Sequence, residues 1–120
     1  MREIFFAPME GLTDAVLRRV HHRLFGGVTA YYIPFISPTQ HLVLTNREKK
    51  NLLPEYNGDT PCVPQVLTRS EEHFLWAARM LADMGYREVN LNAGCPSGTV
   101  TAKGKGAGML REVKQLDYFL

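Results

Sequence analysis

The sequence predicts an α/β protein in which four strands alternate with helical segments and pair in parallel. Apolar residues switch repeatedly between short continuous runs and helix-period stretches, the pattern of βαβ units. Proline and glycine punctuate the runs, and no internal repeat or low-complexity tract interrupts them. The composition agrees: 120 residues, 45% hydrophobic and 22% charged, describe an ordinary globular chain of one-domain length.

Ile4-Phe5-Phe6-Ala7 is a continuous apolar run ended by Pro8 and reads as a buried strand. Thr13-Asp14 caps a helix expected over about 14–25, with Val16, Leu17, Val20 and Leu24 as its apolar face. Gly26-Gly27 stops it. Thr29 to Ile33 is β-branched and aromatic, a second strand closed by Pro34 and Pro38. Helical pieces are expected near 39–44 and 46–51, then a turn at Asn57-Gly58. Cys62 to Val66 is the third strand, although Pro64 removes a ladder donor inside it. Ser70-Glu71-Glu72 starts a helix running to Met84, with Phe74, Leu75, Ala78, Leu81 and Ala82 expected inside and Gly85 as its stop. Glu88 to Asn92 is the fourth strand. A glycine-rich loop from Gly94 to Gly108 and a last helix over about 110–119 follow.

Charge and cysteine content exclude several classes. Fourteen Lys+Arg against twelve Asp+Glu leave +2, too mild to imply nucleic-acid binding by itself. No apolar run approaches the roughly 18 residues of a membrane span. Met1-Arg2-Glu3-Ile4 has an acid where a secretory signal carries its basic region, so the expected location is the cytoplasm. Two cysteines, Cys62 and Cys95, make no disulfide framework. His21, His22, His41 and His73 are scattered without acidic partners at ligand spacing, and no metal site is expected.

Three segments after strand ends are candidates for chemistry. Ala7-Pro8-Met9-Glu10-Gly11 reads first as a tight βα turn, and second as a turn presenting main-chain groups to a flat ligand. Gln65 carries an amide that donates and accepts at once, suited to an imide-type ring edge; alternatively it simply bonds nearby backbone. Cys62 reads as a small buried apolar group. Asn90-Leu91-Asn92-Ala93-Gly94-Cys95-Pro96 sets a thiol between glycine and proline just past a strand, where α/β barrels carry active-site groups. Lys103-Gly104-Lys105-Gly106-Ala107-Gly108 is not a Walker A loop, since the G-x-x-x-x-G-K-[ST] order is absent. It reads as a basic mobile loop whose Lys103 and Lys105 suit a polyanionic substrate.

Together these segments resemble the tRNA-dihydrouridine synthase family. Ala7-Pro8-Met9-Glu10-Gly11-Leu12-Thr13-Asp14 is similar to its N-terminal APM-x-G-x-TD signature, in a Pro-Met-Glu-Gly variant. Val63-Pro64-Gln65-Val66-Leu67 is similar to its third-strand segment. Asn90 to Ser97 resembles its N-x-G-C-P-S signature, continued by Val100 and Gly106-Ala107-Gly108. The three occur in family order and span almost the whole chain.

The resemblance implies a TIM (β/α)8 barrel that binds FMN, is reduced by NADPH and reduces the 5,6 double bond of particular uridines in tRNA. It implies that Pro8, Met9 and Glu10 line the flavin through main-chain contacts and that Gln65 bonds the isoalloxazine edge. Asn92 would sit beside flavin and uracil, and Cys95 would be the general acid that protonates C5 while hydride reaches C6. Because such a barrel needs roughly 250 residues, these 120 would form about its first four β/α units. The second half-barrel, its phosphate-holding loops and the helical tRNA-binding domain would lie outside them. The segment alone is then expected to be inactive, with its two open strand edges available for self-association. Two other readings stand beside this one. One is an FMN-barrel reductase of a free pyrimidine, similar to dihydroorotate dehydrogenases; the other is a non-catalytic association module.

Overall fold

A computed structural model describes residues 2–120, so Met1 of the N-terminal reading lies outside the described residues. Strand β1 (Phe5–Phe6) pairs in parallel with β2 (Ala30–Tyr32), and β2 with β3 (Cys62–Val63). Strand β4 (Gln65–Val66) pairs in parallel with β5 (Asn90–Leu91). The expected strand over 62–66 is therefore two short strands either side of Pro64, which has no N–H for the ladder. Its carbonyl still accepts from Asn90 N (2.9 Å), while Ile33 N and Ile36 N donate to Val63 O and Gln65 O (both 2.9 Å). Main-chain bonding thus passes the proline on both sides, and four extended segments lie parallel in chain order.

Helix α1 (Ala15–Phe25) begins where Asp14 accepts from Leu17 N at 2.9 Å and ends at Gly26. Helix α2 (Asn46–Leu52) opens with a full capping box between Thr45 and Glu48. Helix α3 (Pro54–Asn57) is a single turn closed by Gly58. Helix α4 (Glu71–Asp83) is capped by the Ser70 hydroxyl. Helix α5 (Gly98–Thr101), a 3-10 segment over Gly106–Arg111 and helix α6 (Val113–Phe119) complete the chain.

Three expectations about elements are corrected. No helix forms over 39–44: Leu42 N bonds back to Thr39 O (3.0 Å) and Leu42 takes a positive φ of 50°, which breaks any helical run. Helix starts instead where the Thr45–Glu48 box satisfies orphan donors. The Gly94–Gly108 segment is not an open loop either, since it contains α5 and begins the 3-10 turn, and the last helix starts at Val113 rather than at 110.

The core joins Ile33, Ile36, Leu52, Val66, Ala77 and Leu81. On α4 the buried line is Ala77 and Leu81, four residues apart. Leu75 and Ala82, expected inside, lie off that line and are exposed. The apolar face expected on α1 is also outside: Val16, Val20 and Leu24 are exposed, whereas Ala15 and Arg18 are buried.

Arg18 is fully buried because main-chain and amide oxygens receive it. Its guanidinium donates to Thr13 O (2.7 Å), Asn51 O (2.9 Å) and Asn57 Oδ1 (2.7 Å), tying α1 to the α2–α3 connection. The Asn57 amide donates to Asn51 O (2.8 Å) and to the Tyr86 hydroxyl (3.3 Å), which itself donates to Leu52 O. The Cys62 thiol, 3.6 Å from Asn57 Oδ1, joins this network and is half-buried rather than a purely apolar filler.

Burial, and then the neighbouring Cys62, push the Tyr86 hydroxyl from 10.0 up to about 12. Burial also raises Cys62 from 9.0 and Tyr31 from 10.0. All three hold their protons more tightly folded than unfolded. Their contribution to stability is therefore complete below about pH 9 and is lost as pH rises toward about 12. The urea midpoint should stay level from neutral pH to about 9 and then fall, and Tyr86→Phe should flatten the part above about 10. A native midpoint that is flat through this range would contradict the account.

Candidate active site

The site forms where the strands end. Pro8 follows β1, Pro34 and Phe35 follow β2, Gln65 begins β4, and Asn90 to Cys95 run through and beyond β5. They border one cleft of about 540 Å3, which also takes in Met9, Glu10 and Asn92. Six of the eight residues singled out in the sequence, Pro8, Met9, Glu10, Gln65, Asn92 and Cys95, are thus brought together.

Strand geometry explains the arrangement. Side chains two apart on a strand share a face, so Asn90 and Asn92 point the same way. Gln65 is in register with Asn90 across the β4–β5 pair. Its Nε2 donates to Asn90 Oδ1 (2.7 Å), and its Oε1 accepts from Asn92 Nδ2 (3.0 Å). Asn92 Oδ1 then accepts from Gly94 N (3.1 Å) and Cys95 N (2.9 Å). A continuous amide chain therefore connects β4 to the backbone of the cysteine. From the other side Ala107 N donates to Cys95 O (3.0 Å), so the 3-10 segment closes over the same residue.

The first turn is built differently. Met9 N donates to Thr13 Oγ1 (2.8 Å), and Met9 O accepts from Leu12 N (3.1 Å), Thr13 N (3.0 Å) and the Thr13 hydroxyl (3.2 Å). The main-chain polar groups of Met9 are engaged within the turn, and its side chain is largely exposed. Glu10 pairs with Arg47 at 3.2 Å.

Lys103 and Lys105 do not border this cleft. Lys103 is exposed, whereas Lys105 Nζ donates to Ser37 Oγ at 3.3 Å. Burial, followed by Lys103 and Arg69, lowers the Lys105 pKa. Asn90, Pro34, Phe35 and Gly106 were not singled out in the sequence. Asn90 carried a usable signal, since its two-residue spacing from Asn92 in an expected strand puts both amides on one face.

The cleft suits an uncharged heteroaromatic ring. Its volume is in the range of small-molecule sites. Its walls are apolar side chains, carboxamides, the Glu10 carboxylate and the Cys95 thiol, and the Gln65 amide keeps a further proton and lone pair for a donor–acceptor edge. Among the described residues, no Lys, Arg or His lines it.

The sequence profile of the family described as Dihydrouridine synthase (Dus) matches residues 5–119. The chain belongs to the dihydrouridine synthase family. It is 34% identical over 120 residues to a tRNA-dihydrouridine(16) synthase of Aquipseudomonas alcaligenes, covering 95% of this chain and 38% of that relative. It is 34% identical over 106 residues to a tRNA-dihydrouridine(20/20a) synthase of Xylella fastidiosa, covering 88% and 30% respectively. A tRNA-dihydrouridine(16) synthase of Neisseria meningitidis is 33% identical over 115 residues, covering 91% and 34%. The chain thus spans about a third of the length of these relatives. The parallel strands and intervening helices agree with the α/β fold expected of a dihydrouridine synthase.

Asn92 is the residue of this Dus segment that most directly holds the cysteine loop. Asn92→Ala removes one donor and an acceptor of two N–H groups and should cost about 1–3 kcal/mol in urea denaturation. Asn92→Asp, which keeps the acceptor, should cost less. Equal stability of Asn92→Ala and the native chain would mean that other contacts hold the loop.

Proposed function

We propose that this chain is the catalytic-site segment of a tRNA-dihydrouridine synthase, reducing the C5=C6 bond of uridines in tRNA. One observation carries the reading: the single cleft that gathers Gln65, Asn92 and Cys95, with Asn92 Oδ1 bonded to Cys95 N. Family membership supports it. In this reading the four parallel segments are the first four strands of a TIM barrel, and the rest of the barrel and an RNA-gripping domain complete the enzyme.

Gln65 and Asn92 would hold ring edges, while Pro8, Met9 and Glu10 would lie along the flavin ring. Bound FMN, re-reduced by NADPH, would supply the hydride that reaches C6. Cys95 does the complementary work. Negative charge gathers at C5 as C6 gains hydride, and a proton donor positioned there quenches it. The Cys95 S–H bond breaks as the C5–H bond forms, and the thiolate is reprotonated from solvent. This role needs the thiol, whereas a nucleophilic cysteine works as a thiolate beside a base. No basic side chain among the described residues lines the cleft. The target uridine must leave its stack to enter, as for other base-modifying enzymes.

The test is to reduce the flavin of the native gene product and mix it with oxidants. Unmodified tRNA should reoxidise it, with free uracil and orotate far slower. Faster reaction with orotate would assign a free-pyrimidine reductase instead, and a gene product that binds no flavin would overturn the reading.

A further inference from the structure

A second cleft, of about 600 Å3, lies beside the first between α1 and α2. Arg19 comes to it from α1, and Arg47 and Lys50 from α2. The last two are three residues apart and so share one helix face. Tyr56 of α3, 40% exposed, also lines it. The one carboxylate in the lining, Asp14, is engaged as the α1 cap. Arg47 is paired with Glu10 (3.2 Å), which leaves Arg19 and Lys50 as the cations without an ion-pair partner among the described residues, a local positive bias in a chain whose overall charge is only +2.

The two clefts adjoin one another. Pro34 borders both, and Gly11 of the second directly follows Glu10 of the first. The Glu10–Arg47 ion pair links a wall of one to a wall of the other. A polyanion crossing the second cleft would therefore bring its next unit to the first.

The form of the cleft distinguishes among anions. A compact phosphate site converges buried donors on one point. Here Arg19, Arg47 and Lys50 are all exposed, on long side chains, around Ala15, Val16 and Pro34. Exposed cations around an apolar floor with an accessible aromatic ring match a nucleic-acid strand. Its phosphates meet the cations, and an unstacked base can lie on the ring.

We infer that Arg19, Arg47, Lys50 and Tyr56 form an RNA-docking cleft that anchors the phosphate backbone flanking the target uridine. This rests on the RNA substrate proposed above. Arg47, by exchanging Glu10 for a phosphate, would be the residue that senses docking next to the reaction site. Tyr56 would position a neighbouring base.

The experiment measures binding of an unmodified tRNA transcript to the native gene product by fluorescence anisotropy across monovalent salt. Each lost phosphate contact should flatten the log–log salt dependence by about one unit. Arg19→Gln and Lys50→Gln should each lower the slope by about one. The triple variant with Arg47→Gln should lower it by about two to three and weaken binding roughly tenfold or more at 0.1 M salt. The single variants alter exposed side chains, so they keep the test decisive if the triple variant does not fold. Arg19→Lys with Arg47→Lys should retain the native slope. Native binding with unchanged slopes in the single variants would overturn the docking cleft and leave the proposed reaction standing. No binding of tRNA by the native gene product would overturn both.

Discussion

Cys95→Ala should slow oxidation of reduced flavin by tRNA roughly 10²- to 10⁴-fold in single-turnover measurements on the native gene product, the usual reach of a positioned general acid. Flavin occupancy should remain near that of the native protein. The reason is local. Cys95 holds its loop through the main chain, with its N–H bonded to Asn92 Oδ1 and its carbonyl to Ala107 N, and both bonds survive the substitution. Only the proposed proton donor is lost. Cys95→Ser keeps a donor of similar size but a far weaker acid and should remain slow. Unchanged single-turnover oxidation in Cys95→Ala would remove the cysteine from the reaction and leave the cleft as a binding site alone.

The contrast between Cys95 and Arg18 shows what the sequence made legible. Cys95 sits in a short segment whose neighbours build its surroundings. Strand alternation aims Asn92 at the loop, and Gly94 and Pro96 shape the turn. Local sequence was therefore enough to place it beside the cleft, and the resemblance implied the role proposed for it. The cleft repeats this logic at Pro8, Gln65 and Asn92, each at or just beyond a strand end. Arg18 is the opposite case. An arginine between two leucine-containing turns reads as a solvated charge, so helical periodicity gave its place to Val16, Val20 and Leu24. Its acceptors are Thr13 O, Asn51 O and Asn57 Oδ1, and two of them lie more than thirty residues away. No local pattern announces carbonyls assembled by the α2–α3 turn. The exposed α1 stripe has the same origin, because periodicity marks an apolar face without naming the surface that covers it. The helix expected over 39–44 failed because a single left-handed residue, Leu42, outweighs the apolar spacing around it.

Gly106→Ala should be the most damaging single-methyl change near the site. Gly106 has φ +55°, a region in which a side chain is strained. An added Cβ would also lie 2.7 Å from Cys95 O, 2.9 Å from Val100 Cγ1 and 3.0 Å from Cys95 Cβ. Two of these are atoms of the cysteine itself, and its carbonyl is pinned by Ala107 N, so relief must come by moving Cys95 or the 3-10 segment. Strain and overpacking together should cost about 2–4 kcal/mol in urea denaturation. At permissive temperature the folded fraction should still react roughly 10²-fold slower, because a displacement near 1 Å at a catalytic group costs about that much. Gly98→Ala is the matched control: it lies in the same segment, meets nothing within 4 Å and begins α5. It should be neutral or stabilising by up to about 1 kcal/mol. If Gly106→Ala behaved like Gly98→Ala, the thiol would have room to move, and the close contact between the 3-10 segment and Cys95 could not be what fixes the proton donor.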